Sequence, residues 1–230
     1  MKKLIVAVLL MFASAAWAGD LRDGLAAYDN KNYPVALAKF RLAATQGDEN
    51  AQLMLGVMFE KGEGVAQDYV EAVRWYRLAA AQGRAAAQVN LGNMFDEGKG
   101  VAQDYVESVR WYRLAAAQGD SSAQFNLGVM FSKGRGVAQD YVEAVRWYRL
   151  AAAQGYAVAQ FNLGVKFING QGVAQDFTRA HMWYNLAAVK GNKDAVKNRD
   201  KTADRMTPQQ IAQAQKLARE CTARNFKNCD

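Results

Sequence analysis

Four short glycine-rich segments, at 62–64, 98–100, 134–136 and 170–172, are the first feature of the sequence that could support chemistry. Each reads Gly-x-Gly, and the backbone N–H groups of such loops can cradle a phosphate where a strand leads into a helix. These segments have neither the third glycine nor the preceding strand of a nucleotide-binding loop. We therefore interpret them as tight turns between helices and predict no bound cofactor.

Residues that could catalyse a reaction are scarce. The chain has one histidine, His181, and it contains no Gly-x-Ser-x-Gly, Ser-x-x-Lys or His-Glu-x-x-His segment. Hydrolases and zinc sites need convergent groups of these types, so the sequence predicts neither a catalytic centre nor a metal site. Four tryptophans could stack on a carbohydrate, but their even spacing is more typical of core packing between repeats: Trp75, Trp111, Trp147 and Trp183.

The two cysteines, Cys221 and Cys229, lie close together near the end of the chain. In an oxidising compartment such a pair forms a disulfide, which would stabilise a terminal segment that otherwise frays. Two separate thiols are the alternative. A zinc site is disfavoured because only one histidine could join the two thiols as a ligand.

The first 18 residues have the layout of a secretory signal peptide. Lys2 and Lys3 precede an apolar run at 4–12, and small residues then lead to Ala18. The run is shorter than the roughly 20 apolar residues of a membrane-spanning helix, so cleavage after Ala18 is favoured over anchoring. We predict a soluble periplasmic or secreted protein with no integral membrane segment after cleavage.

The predicted mature chain has 27 lysines and arginines against 22 acidic residues, a net charge of +5. No run of consecutive basic residues concentrates this charge, which argues against a nucleic-acid partner. An acidic partner and an anionic envelope surface both stay open.

A repeat of 36 residues organises most of the chain. The segment Gly-Val-Ala-Gln-Asp occurs at 64–68, 100–104, 136–140 and 172–176. A fixed period of this length is typical of repeat proteins built from one supersecondary unit. Four units follow from the spacing: 47–82, 83–118, 119–154 and 155–190.

Each unit is predicted to hold two helices. In the first unit, apolar residues recur at helical spacing over 50–60, and Gly62 can end that helix in a left-handed conformation. Asp68 is a suitable N-cap for the second helix, and Glu71 could complete a capping box. The second helix would close at Gly83 after burying one stripe of residues: Tyr69, Ala72, Tyr76, Ala79 and Ala80.

A single helix pair buries too little apolar surface to be stable alone, so the units must stack and the ends must be capped. Residues 19–46 are predicted to form an N-terminal capping helix pair with Pro34 in its second helix. Residues 191–230 are predicted to form C-terminal capping helices, the last of which begins with a capping box at Thr207 and Gln210.

The repeated string resembles the Sel-one-like repeat of the tetratricopeptide-like superfamily. In the first unit it reads Ala-x-x-x-Leu-Gly-x-Met-Phe-x-x-Gly-x-Gly-Val-x-x-Asp-Tyr-x-x-Ala-x-x-Trp-Tyr-x-x-Ala-Ala-x-x-Gly. The resemblance covers 47–190 and implies a right-handed all-α solenoid of antiparallel helix pairs that serves as an adaptor for a protein or peptide partner. It also implies that the motif residues are scaffold positions rather than functional ones.

Positions that differ between the units carry the remaining functional signal. On the first helices they share one face, and in the resembled superfamily the first helices line the concave surface. These residues either contact a partner or fill contacts between repeats, and the sequence supports both interpretations. We name this set the first-helix face: Leu53, Val57, Val89, Asn93, Glu97, Phe125, Val129, Phe161 and Val165.

The sequence therefore predicts an exported protein-binding scaffold that is not an enzyme. The alternative is a cell-wall or β-lactam hydrolase or an accessory to one. Neither the partner nor the oligomeric state can be read from the residues.

Overall fold

A computed structural model describes residues 19–229 of the chain, so the predicted signal peptide at 1–18 lies outside the described residues. Within this range the secondary structure is α-helical, as the sequence predicts, and no strand is present. The helices are α1 19–29, α2 Tyr33–Thr45, α3 Glu49–Lys61, α4 Tyr69–Ala81, α5 Ala85–Glu97, α6 Tyr105–Ala117, α7 Ser121–Lys133, α8 Tyr141–Ala152, α9 Ala157–Asn169, α10 Phe177–Val189, α11 Lys193–Ala203 and α12 Pro208–Ala223.

Local signals define the first helix of a repeat. In α3 the carboxylate of Asp48 accepts a hydrogen bond from the backbone N–H of Ala51 at 2.8 Å, which satisfies one of the free donors at the helix start. The helix ends at Gly62, whose φ of 73° is the left-handed cap that the sequence predicts. The observed helix is one residue longer at each end than the predicted 50–60.

The second helix begins at the predicted N-cap but without the predicted capping box. The carboxylate of Asp68 accepts hydrogen bonds from the backbone N–H groups of Val70 and Glu71 at 2.9 and 3.0 Å. Glu71 does not return a bond to the cap, because the backbone N–H of Asp68 donates to the carbonyl of Phe59 at 2.9 Å, and the carboxylate of Glu71 pairs with Arg74 at 3.2 Å. The capping-box prediction is wrong here.

The start of α12 shows both bonds of a capping box. The hydroxyl of Thr207 accepts from the backbone N–H of Gln210 at 3.3 Å, and the side chain of Gln210 accepts from the backbone N–H of Thr207 at 2.8 Å. The capping-box prediction for the last helix is confirmed.

The helices form two compact units, the first ending at Trp111 and the second beginning at Tyr112. Each unit has its own apolar core. In the first unit α3 packs against α4, and Leu55, Met58 and Tyr76 are completely buried. In the second unit α9 packs against α10, and Leu163 and Trp183 are buried between them. Each unit thus consists of helix pairs that bury one another's apolar stripes.

Glutamine side chains join the two ends of a repeat inside each unit. In the first unit the amide of Gln82 donates to the carbonyl of Gly47 at 2.9 Å and to Oε1 of Gln52 at 2.8 Å. Gln154 makes the same pair of bonds to Gly119 and Gln124 in the second unit. Because these bonds join positions 30 and 35 residues apart, they hold the end of the second helix against the start of the first helix of the same repeat.

The C-terminal cap ends in the predicted disulfide between Cys221 and Cys229, whose Cα atoms are 5.0 Å apart. The loop between them presents Phe226, which packs over Gly155 at the start of the fourth repeat. The ammonium of Lys190 lies 5.5 Å from the centre of the Phe226 ring. The crosslink thus holds an aromatic side chain against the last repeats.

Candidate functional site

In the first unit, the first-helix face lies on α3 and α5. Leu53 and Val57 are half-buried and pack against the core. Val89 is only 8% exposed, so it belongs to the core rather than to an open surface. Asn93 is half-buried, and Glu97 is exposed with its carboxylate 2.6 Å from the ammonium of Lys99. This half of the face presents polar groups at its accessible end.

In the second unit the face is aromatic. The ring centre of Phe125 lies 5.8 Å from that of Tyr148 and 5.5 Å from that of Tyr156. The ring centre of Phe161 lies 5.5 Å from that of Tyr184 on the following helix. Both phenylalanines are half-buried, so each ring packs on a tyrosine and keeps part of its surface accessible. Val129 and Val165, the two remaining members, are also half-buried.

The tryptophans lie where core packing predicts. Trp75 and Trp183 are buried, and Trp111 and Trp147 are half-buried. The indole N–H groups of all four are buried without a hydrogen-bond partner. Arginine guanidinium groups of the preceding residues cover three of the rings, at 5.3, 4.8 and 4.7 Å from the ring centres. These contacts indicate that the rings serve packing within the repeat rather than stacking on a sugar.

Charge is divided unequally between the two units. Residues 19–111 carry 10 basic and 13 acidic side chains, whereas residues 112–230 carry 17 basic and 9 acidic side chains. The net charges are therefore −3 and +8. In residues 19–229 no group of three or more histidine, cysteine, aspartate or glutamate side chains is placed to hold a metal. No helix in the same range has both the length and the apolar character of a membrane span.

A family profile described as the Sel1 repeat matches the chain over four consecutive stretches, 50–83, 85–120, 121–156 and 157–192. The chain belongs to the Sel1 repeat family. The resemblance to Sel-one-like repeats is confirmed, and the fold is an all-α solenoid of helix pairs. Among curated proteins none matches the chain.

Solved structures of other Sel1 repeat proteins share the fold. One from Oxalobacter formigenes is 36% identical with a TM-score of 0.72, and the match covers 76% of this chain and 70% of that one. The protective antigen c5321 of uropathogenic Escherichia coli is 29% identical with a TM-score of 0.59, and the match covers 93% of this chain but only 54% of the antigen. A Sel1 repeat protein from Klebsiella pneumoniae is 20% identical with a TM-score of 0.54, and the match covers 81% of this chain and 93% of that one.

The fourth Sel1 repeat differs from the others in its core. Lys166 occupies the position of the buried methionines Met58, Met94 and Met130, and it is buried as well. Its ammonium donates to the hydroxyl of Ser132 at 2.7 Å and to Oε1 of Gln171 at 3.0 Å. Burial lowers the pKa of Lys166, since no carboxylate compensates the charge. Sequence reasoning missed this residue, although a methionine-to-lysine change between aligned repeats is a visible signal.

His181 in the same repeat is buried as well. The side chain is 3% exposed because it lies on the core-facing side of α10, at the position of the buried Val73 and Val145. Burial is the main cause that lowers the pKa of His181, the positive charge of Arg199 adds to it, and Asp200 opposes it. The uncharged imidazole therefore belongs to the folded state.

The buried imidazole predicts acid sensitivity. Because the folded pKa lies below the ordinary value of about 6.5, the unfolded chain binds the proton more readily, and stability is lost as the pH falls below that value. We expect urea unfolding to show a slope of up to about 1.4 kcal/mol per pH unit in that range. The control is His181→Val, which restores the side chain of the other repeats. If the unfolding free energy of that variant depended on pH as steeply as that of the wild type, carboxylates rather than His181 would cause the acid sensitivity.

Proposed function

We propose that this Sel1 repeat protein is an exported scaffold that binds a protein or peptide partner through the first-helix face. The observation that supports this most directly is the packing and partial exposure of Phe125 and Phe161. Each ring packs on a tyrosine of its neighbouring helix and still leaves part of its surface open to solvent. Aromatic side chains held in this way bind partners well because little side-chain freedom remains to be lost.

The same positions vary between repeats, whereas the loop segment Gly-Val-Ala-Gln-Asp is identical in all four. Phe125 and Phe161 align with Leu53 and Val89, so the aromatic character is confined to the second unit. In the first unit the accessible end of the face carries Asn93 and Glu97 instead. An extended or helical peptide with apolar anchors fits the aromatic part of the face, since it would remove both half-exposed rings from water. The chain acts as a scaffold, and turnover of a chromogenic β-lactam or of peptidoglycan would contradict this part of the proposal.

Export is supported by two independent features. The first 18 residues have the charge and apolar pattern of a cleaved signal peptide. The Cys221–Cys229 disulfide is typical of proteins that fold in an oxidising compartment.

The test is a crosslinking pull-down from the native envelope with the full chain as bait, followed by binding measurements with the captured partner. We expect Phe125→Ala with Phe161→Ala to weaken the partner's affinity about thirtyfold, since truncating an aromatic anchor typically costs about 2 kcal/mol. The intact mass of the recovered bait should lack residues 1–18. Helicity should be unchanged, because both rings are only half-buried.

A matched control is available on the opposite helices of the same unit. Val142 and Leu150 on α8 are 66% and 42% exposed, and Val142→Ala with Leu150→Ala removes apolar surface without touching the first-helix face. We expect the affinity of that variant to match the wild type. Equal affinity of the phenylalanine variant and the wild type would reject the first-helix face, and a loss confined to the α8 variant would place the partner on the second helices.

A further inference from the structure

The second unit contains a cavity of about 310 Å³ at its C-terminal end, between α9, α10 and α11. We call it the Lys201 pocket. Four of the six residues that line it have polar or positively charged side chains. The residues that line it are Ile168, Tyr184, Asn198, Lys201, Thr202 and Arg205.

One wall of the pocket is a tyrosine that has lost the hydrogen-bond acceptor found in other repeats. In the first repeat the hydroxyl of Tyr76 donates to the carboxylate of Glu60 at 2.5 Å, and in the third the hydroxyl of Tyr148 bonds to Ser132. The corresponding residue of the fourth repeat is Ile168, which cannot accept a hydrogen bond. Within residues 19–229 the hydroxyl of Tyr184 therefore has no hydrogen-bond partner, although the side chain is 97% buried.

The position of this hydroxyl follows from the repeat. Each of these tyrosine rings packs on a helix glycine, Gly164 in the fourth repeat, and its hydroxyl reaches the residue four positions later. The hydroxyl of Tyr184 thus lies beside Ile168, which lines the pocket. Burial raises the pKa of Tyr184 to about 12, so the phenol stays protonated. A hydrogen-bond acceptor inside the pocket would therefore stabilise its O–H group.

Two cations share the pocket with this phenol. Lys201 and Arg205 lie one helical turn apart, and neither forms an ion pair with a carboxylate in the described part of the chain. The nearby carboxylate of Asp200 is occupied by Arg199, at 2.8 and 2.9 Å. The guanidinium carbon of Arg205 lies 4.4 Å from the ring centre of Phe177, which orients its remaining N–H groups.

Cations at a helix C-terminus also complement the helix dipole, and Lys201 lies in the last turn of α11. That role requires neither a cavity nor an unpaired phenol. Within residues 19–229, two cations without a carboxylate partner, the amide of Asn198 and the unpaired hydroxyl of a largely buried tyrosine together supply what an anion site needs. The net charge of +8 in residues 112–230 adds a favourable long-range potential.

We propose that the Lys201 pocket binds an oxyanion, the carboxylate or phosphate group of a ligand. Lys201 and Arg205 supply the positive charge. The hydroxyl of Tyr184 donates a hydrogen bond to the anion, as the hydroxyl of Tyr76 does to the carboxylate of Glu60 in the first repeat. The site is independent of the first-helix face, so its test does not require the partner of the proposed function.

The experiment is an NMR titration of residues 19–230 with inorganic phosphate and, separately, with succinate. Ionic strength is held constant with chloride. We expect saturable shifts of the backbone amides in 198–206 with at least one anion, and the stronger binder identifies the chemical source. Shifts that grow linearly with both anions and do not saturate would overturn the proposal.

Variants separate a pocket from diffuse charge. We expect Lys201→Gln with Arg205→Gln to weaken binding by at least about tenfold, because each removes a charge-assisted hydrogen bond. The control pair, Lys197→Gln with Arg219→Gln, changes the net charge equally at two exposed positions outside the pocket. Equal weakening by both pairs would reject the site.

Two further variants test the phenol. Tyr184→Phe removes only the hydroxyl and should weaken binding about three- to tenfold with unchanged helicity. Ile168→Glu restores the carboxylate of the first repeat, which should accept from Tyr184, neutralise the two cations and abolish anion binding. Full affinity in both variants would place the anion at the exposed helix end and overturn the proposal.

Discussion

Replacing Gly172 with alanine is expected to lower the free energy of unfolding by about 3 kcal/mol. The φ angle of Gly172 is 76°, a left-handed conformation in which a Cβ atom costs about 1–2 kcal/mol. The same Cβ would also collide with the backbone carbonyl of Tyr141, at the start of α8. Because backbone atoms cannot move aside as a flexible side chain can, the loop before α10 and the first turn of α8 would have to separate. The measurement is urea unfolding followed by circular dichroism.

Gly119 provides a control in the same unit. Its φ is 88°, but a Cβ there would meet no atom within 4 Å. Gly119→Ala should therefore cost only the conformational term, about 1 kcal/mol. The difference in the free energy of unfolding between the two variants measures the cost of the contact between Gly172 and Tyr141, which lie in consecutive repeats. If both variants lost the same stability, the contact with Tyr141 would not limit the spacing of the repeats.

Removing the disulfide by Cys221→Ala with Cys229→Ala is expected to cost about 2.5 kcal/mol, the chain-entropy estimate for so short a loop. Three residues inside the loop, Asn225, Phe226 and Asn228, have φ angles of 51°, 63° and 53°. Left-handed conformations of this kind are unfavourable for residues other than glycine, so the loop should relax once the crosslink is lost. The Phe226 ring would then leave its contact over Gly155.

Urea unfolding of the oxidised and the double-alanine protein measures the loss. Phe226→Ala with the disulfide intact is the matched control, and it should cost only about 1 kcal/mol because the ring is half-buried. Alkylation before reduction should leave both cysteines of the wild type unlabelled. Equal stability of the double-alanine protein and the wild type would show that helix packing alone secures the C-terminal cap.

The repeat architecture could be predicted from the sequence because its signals are local. The N-cap at Asp68, the left-handed cap at Gly62 and the capping box at Thr207 each depend on residues a few positions apart, and the 36-residue period is visible because such short patterns recur along the chain. The pairing of Cys221 with Cys229 was accessible for the same reason, since only eight positions separate them. The capping box at Glu71 failed because the backbone N–H of Asp68 donates instead to the carbonyl of Phe59 on the preceding helix.

How far each candidate functional side chain is buried was decided by the tertiary structure. Phe125 is neither free nor fully buried, because Tyr148 and Tyr156 from other segments of the chain cover part of its ring. The burial of His181 likewise depends on how α10 is rotated against its neighbours, which the sequence defines only to within a residue or two.

The Lys201 pocket shows the same limit most clearly. A change from glutamate to isoleucine at Ile168 is visible when the repeats are aligned, but its consequence is not. That change leaves Tyr184 without its acceptor in a pocket that Lys201 of α11 and Arg205, just beyond the end of α11, also line, and both cations lie outside the repeat pattern. Capping and periodicity are interactions of neighbouring residues, and they specify the helices. Burial, charge pairing and pKa depend on side chains that are distant in the chain, so they exist only after those helices have packed.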